Sequence, residues 1–79
     1  MKNNTKKNDD AYERLANAII IQAADDYRSA LIRLKKHPRD SDARGMKMSA
    51  ERFFRSEWYT QLTSVDPEML MRKIQEEVR

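Results

Sequence analysis

From Ala11 to Lys36 the chain carries apolar side chains at helical spacing and meets neither glycine nor proline. Leu15, Ile19, Ala23, Tyr27 (or Asp26 beside it), Ala30, Leu31 and Leu34 recur three and four residues apart, as on one face of an α-helix. The pattern predicts a first helix over about 10–36, roughly seven turns long. Asp9 or Asp10 is placed to cap its start, where a carboxylate accepts free backbone N–H groups and meets the positive end of the helix dipole. Lys35, Lys36 and His37 crowd its last turn, and Pro38 ends it by forcing His37 out of the helical region.

A second stripe runs through Ala43, Met46, Ala50, Phe53/Phe54, Trp58 and Leu62. It predicts a helix over about 42–63 that continues through Gly45, with a start at Met48 as the shorter alternative. Asp40 and Asp42 are the best-placed caps. Phe54, Trp58 and Leu62 share one line and would face the core. The string Thr63-Ser64-Val65-Asp66-Pro67-Glu68 is strong punctuation: Ser64 or Asp66 to cap, Pro67 at the first helical position, Glu68 in the first turn. A third helix over about 67–78 then presents Leu70, Met71, Ile74 and Val78. Residues 1–8 are polar, lysine-bearing and aperiodic, and read as a disordered basic tail. The expected fold is all-α: one small three-helix domain over 9–79.

Composition narrows the picture. One glycine and two prolines among 79 residues leave too few tight turns for a sandwich or barrel. No cysteine means no disulfide and no thiolate metal site. No apolar run reaches the ~18 residues of a membrane span, and no secretory apolar core follows Met1-Lys2. A cytoplasmic protein of the host cell, without membrane contact, is expected. The net charge of +3 conceals blocks. Residues 9–27 are acidic, whereas 28–47 hold Arg28, Arg33, Lys35, Lys36, Arg39, Arg44 and Lys47 against Asp40 and Asp42. Such a basic bend attracts phosphate or an acidic protein surface, or is simply a solvated helix end.

Catalytic chemistry is sparse. His37 is the sole histidine and sits in a polar helix end, so no transition-metal set forms around it. No serine has a recognisable base, and no spacing singles out a pair of carboxylates. Asp25 and Asp26 project about 100° apart on a helix and do not share one ion. The chain is expected to be no enzyme and to need neither cofactor nor metal. The run Ala18-Ile19-Ile20-Ile21 covers every side of a turn. It marks either the middle of the fold or an oligomer contact through Ile20, Ile21 and Ala24. Two mixed segments, Asp25–Arg28 and Glu51–Tyr59, combine aromatic and charged groups. Tyr27, Arg28, Arg52, Arg55 and Tyr59 are the candidate partner-binding residues. Arg55 could instead pair with Asp26 or Asp25 across a helix contact.

The strings Ala16-Asn17-Ala18-Ile19-Ile20-Ile21-Gln22-Ala23 and Asp26-Tyr27-Arg28-Ser29-Ala30-Leu31, with Glu51-Arg52-Phe53-Phe54-Arg55-Ser56-Glu57-Trp58-Tyr59-Thr60-Gln61-Leu62-Thr63 and Val65-Asp66, are distinctive. They resemble small helical proteins encoded by phages, prophages and integrative elements of Gram-positive bacteria. The resemblance spans residues 16–79 and departs at Tyr59, where phenylalanine is common, and at Gly45-Met46-Lys47-Met48. It implies a mobile-element accessory protein and names no ligand. Together with the sparse catalytic chemistry, it leads to the expectation of a host-takeover or anti-defence inhibitor that acts by stoichiometric protein binding. Its partner would be a host defence protein or a protein–nucleic-acid complex, such as a nucleic-acid-guided nuclease, with a homodimer compatible. The alternatives are a nucleic-acid-binding accessory protein using the bend 28–47, or a homo-oligomeric small-ligand sponge.

Overall fold

A computed structural model describes the backbone from Lys2 and the side chains from Asp10 to Arg79; the disordered tail expected over 1–8 lies outside those described side chains. The described residues form four helices and no strand: α1 (Lys2–Lys36), α2 (Ser41–Phe54), α3 (Glu57–Leu62) and α4 (Pro67–Val78).

The junctions follow from local chemistry. After α1, the Asp40 carboxylate accepts the Ala43 N–H at 3.0 Å as the cap of α2 and pairs with Arg33 at 2.9 Å, tying the bend together. Asp42 lies in the first turn instead. Asp66 caps α4 by accepting the Glu68 N–H at 3.0 Å, with Pro67 entering the first turn. Gly45 is passed without interruption.

The expected second helix is two helices. It stops at Phe54, and Ser56 turns extended (φ −85°, ψ 160°) to cap α3. The Ser56 hydroxyl donates to the Phe53 carbonyl at 2.6 Å and accepts the Tyr59 N–H at 3.2 Å. A serine can satisfy local backbone groups better than a helix interior does, and Glu57 behind it suits the new helix start. The break abolishes the line Phe54–Trp58–Leu62. Phe54 stays buried, Trp58 turns outward to 53% exposure, and Tyr59 takes the inward place at 1%.

Arg33–Asp40 and Tyr27–Glu51 place α2 antiparallel to α1, whereas Arg28–Glu77 and Lys35–Val78 beside a shared Ile20–Leu70 wall place α4 parallel to it. The core gathers where all four meet: Tyr27, Ala50, Phe54, Tyr59, Met71 and Ile74, with Ile20, Ala23, Ala24, Leu31, Phe53 and Leu70 packed around them. Phe54 is the hub, meeting Tyr27 edge-on at 5.9 Å and Tyr59 at 5.8 Å between ring centroids. Each such pair contributes about 0.5–1.5 kcal/mol beyond burial. On α1 the inward line is Ala16, Ile20, Ala23, Tyr27 and Ala30, not the line through Leu15, which is 60% exposed. The two lines share Ala23, Tyr27 and Ala30 and part only toward the N-terminal end of α1.

Candidate partner-binding surface

The α1–α2 pair has two seams. Helices α3 and α4 cover one. The other is open, forming a groove of about 310 Å³ lined by Ala23 and Asp26 of α1 and by Gly45, Met46, Ser49, Ala50 and Phe53 of α2. Its depth reflects small side chains: where Ala23, Gly45, Ser49 and Ala50 face each other, two helices cannot fill the space between them. The Arg33 guanidinium reaches the Met46 sulfur at 3.4 Å. Phe53 is half-buried in the wall and meets Trp58 edge-on at 5.4 Å. Trp58 is therefore held by an aromatic neighbour while half its surface faces solvent. On the α1 side Leu15 and Ile19 share a helical strip with Asp26, and Tyr12 donates to the Gln61 carbonyl at 3.3 Å beside α3. A second apolar face lies between α1 and α4, where Asn17, Ile20, Ile21, Tyr59, Thr63, Val65 and Leu70 line a depression of about 250 Å³.

The structure separates the candidate partner-binding residues. Tyr27 is fully buried and Tyr59 nearly so, which corrects both assignments. The Tyr27 hydroxyl donates to Glu51 Oε2 at 2.9 Å and accepts from Gln75 Nε2 at 2.8 Å, linking α1, α2 and α4. Burial, foremost, pushes its ionisation upward, so it remains a neutral donor. The Tyr59 hydroxyl donates to the Val65 carbonyl at 3.0 Å, and burial raises it as well. Arg28 is held between Asp25 at 2.9 Å and Glu77 at 2.8 Å. Arg55 does not meet Asp25 or Asp26; it pairs with Glu68 at 2.9 Å, with Glu51 at 4.0 Å. The Arg55 guanidinium holds the Glu68 carboxyl below its ordinary range. Both groups are exposed, and the pair is no buried bridge. Arg52 is exposed and makes no ion pair among the described residues.

Of the expected oligomer contact, Ile20 and Ala24 are half-buried against the core, Ile20 also lines the second depression, and Ile21 remains 59% exposed. The basic bend is partly paired from within. Arg33 binds Asp40, Lys47 approaches Glu51 at 3.4 Å, and Lys35 donates to the Val78 carbonyl at 2.7 Å and to that of Arg79. Lys36, Arg39 and Arg44 remain exposed without ion pairs among the described residues. His37 is also exposed.

Periodicity does not single out Gly45, Met46 and Ser49 as surface-forming residues. Their one signal is Gly45 itself, a glycine inside a helix and off its apolar stripe. Among the described residues no group of three or more metal-capable side chains occurs, and no helix is long and apolar enough to cross a membrane. No protein-family model matches the chain, and neither curated proteins nor solved structures show significant similarity to it.

Proposed function

We propose that this chain is a non-enzymatic mobile-element accessory protein that acts by binding a host protein stoichiometrically, as a host-takeover or anti-defence inhibitor. The observation that carries the reading is the amount of ordered apolar surface left uncovered: Tyr12, Leu15, Ile21, Ile32, Met48, Trp58, Val65 and Met69 are all exposed on a small domain. Among them Trp58 stands out, because it is half exposed, is braced by Phe53 and sits at the end of the open α1–α2 groove, as an anchor at a contact surface would. Trp58 is the natural anchor, since tryptophan braced by a neighbour yields much contact area for little lost freedom. The resemblance to phage and integrative-element proteins supplies the setting, and a defence protein or protein–nucleic-acid complex is the partner class.

Affinity capture with the tagged chain from bacterial lysate tests this. One host protein recovered in near-equal amount, and lost with Trp58→Ala, is the expected result; recovery of none counts against the reading. Nucleic-acid binding through Lys36, Arg39 and Arg44 is the weaker alternative, because the other basic side chains of the bend already have internal partners. A gel shift that vanishes by about 0.15 M salt would mark only loose phosphate attraction.

A further inference from the structure

Gly45 has no structural reason to be glycine. It lies inside α2, no residue of the described chain has a positive φ angle, and a Cβ at this position would meet nothing within 4 Å. Alanine there would favour the helix, because glycine leaves the unfolded backbone more freedom to lose. What the missing methyl provides is space on the wall of the α1–α2 groove, letting another chain approach the backbone of α2 closely.

The groove's charge indicates what that chain looks like. Its floor is apolar: Ala23, Met46, Ala50 and Phe53. Asp26 lines it from α1. Asp42 lies one turn before Met46 on α2, and Glu57 directly precedes Trp58 beyond the Phe53 end. Neither Asp42 nor Glu57 has an ion pair among the described residues. Arg52 is the opposing cation without a partner, since Arg33 is bound to Asp40. The rim thus carries Asp26 as its one lining charge among the described residues, with Asp42 and Glu57 next to lining residues in the sequence, on a chain whose net charge is +3. Such a rim repels phosphate and favours a cationic segment.

We propose that the α1–α2 groove binds an amphipathic helix with basic flanks, supplied by the partner protein. Its apolar face lies over Ala23, Met46, Ala50 and Phe53. Its basic side chains meet Asp26, Asp42 and Glu57, and Trp58 closes one end. This rests on the reading of the chain as a stoichiometric protein binder and specifies where and what it binds.

The test uses the full chain with two synthetic probes. One is a leucine/lysine amphipathic helix of about 18 residues, five turns; the other is its leucine/glutamate counterpart of equal hydrophobicity. The lysine peptide is expected to shift backbone amide signals of Ala23, Met46, Ser49 and Phe53 and to move Trp58 emission to the blue. The glutamate peptide should bind at least about tenfold more weakly. Gly45→Ala should raise the melting temperature yet weaken peptide binding, and Gly45→Leu should abolish binding while remaining folded by circular dichroism. A merely tolerated glycine would not separate stability from affinity in this way. Equal binding of both peptides, signal shifts elsewhere, or no binding would overturn the proposal. So would groove shifts that grow with protein concentration in the absence of peptide, which identify a second copy as the occupant. If folded Gly45→Leu recovers the same lysate partner as the unmodified chain, the groove assignment falls while the protein-binding reading stands. If the unmodified chain recovers no partner yet shows the selective peptide response, the groove chemistry is supported and the broader reading fails.

Discussion

Asp26 and Tyr27 are adjacent in α1, and Phe53 and Phe54 are adjacent in α2, yet each pair divides between two environments. Tyr27 and Phe54 enter the four-helix joint, where both are fully buried. Asp26 and Phe53 line the open groove. One seam of the α1–α2 pair is closed by α3 and α4 with aromatic rings in edge-to-face contact. The other sets small side chains beside Met46 and Phe53, with Trp58 of α3 against its Phe53 end. The fold thus encloses most of its aromatic rings on one side of a helical hairpin and leaves the other side shaped but uncovered. Stability should therefore be concentrated in the joint, and tolerance to change in the groove.

Phe54→Ala gives the largest expected effect, a loss of about 3–5 kcal/mol, because it leaves a cavity at the hub of the joint. In so small a domain this is close to complete unfolding, readable by urea denaturation. A change under about 1 kcal/mol would break the contrast between the two seams. Tyr27→Phe should cost about 1–3 kcal/mol, since Glu51 and Gln75 lose the hydroxyl that joins three helices; the same denaturation series checks it. Ser56→Ala should cost about 1 kcal/mol through the lost cap and loosen α3, seen as faster amide hydrogen exchange at Tyr59. Gly45→Ala goes the other way on the groove side, stabilising by about 1 kcal/mol.

The smallest effect concerns pH. The backbone N–H of Ala43, then Arg33, hold Asp40 below its ordinary value, and Arg55 does the same for Glu68. A depressed folded pKa contributes stability above the unfolded value, about 4 for a carboxyl, and that contribution is lost as pH falls through the folded value. The melting temperature should hold near neutrality and decline below about pH 4, less steeply in the Asp40→Asn/Glu68→Gln double variant. An unchanged slope in that variant would place the acid sensitivity elsewhere.

Much of the helical plan is legible in the order of residues alone. Pro38 after a cationic turn, Asp66-Pro67-Glu68, and the unbroken periodicity through Tyr27 act locally, so they determine where α1 ends, where α4 begins and that the chain is all-α. The continuity of α2 through Gly45 also follows from its apolar spacing. The break at Ser56 is present as a Ser-Glu capping signal, but Trp58 and Leu62 prolong the apolar line and outweigh it. Only packing decides that competition: turning the chain at Ser56 puts Tyr59 into the core and lets its hydroxyl reach Val65. Tertiary structure also decides part of the pairing, because Arg28, Lys35 and Arg55 find partners on α4, whereas Asp25–Arg28 and Lys47–Glu51 are pairs at local helical spacing. The groove belongs to the same class. A helical pattern shows which residues share a face, but a seam remains open or closed according to where the third and fourth helices pack, and that depends on the volumes of Tyr27, Phe54 and Tyr59 together.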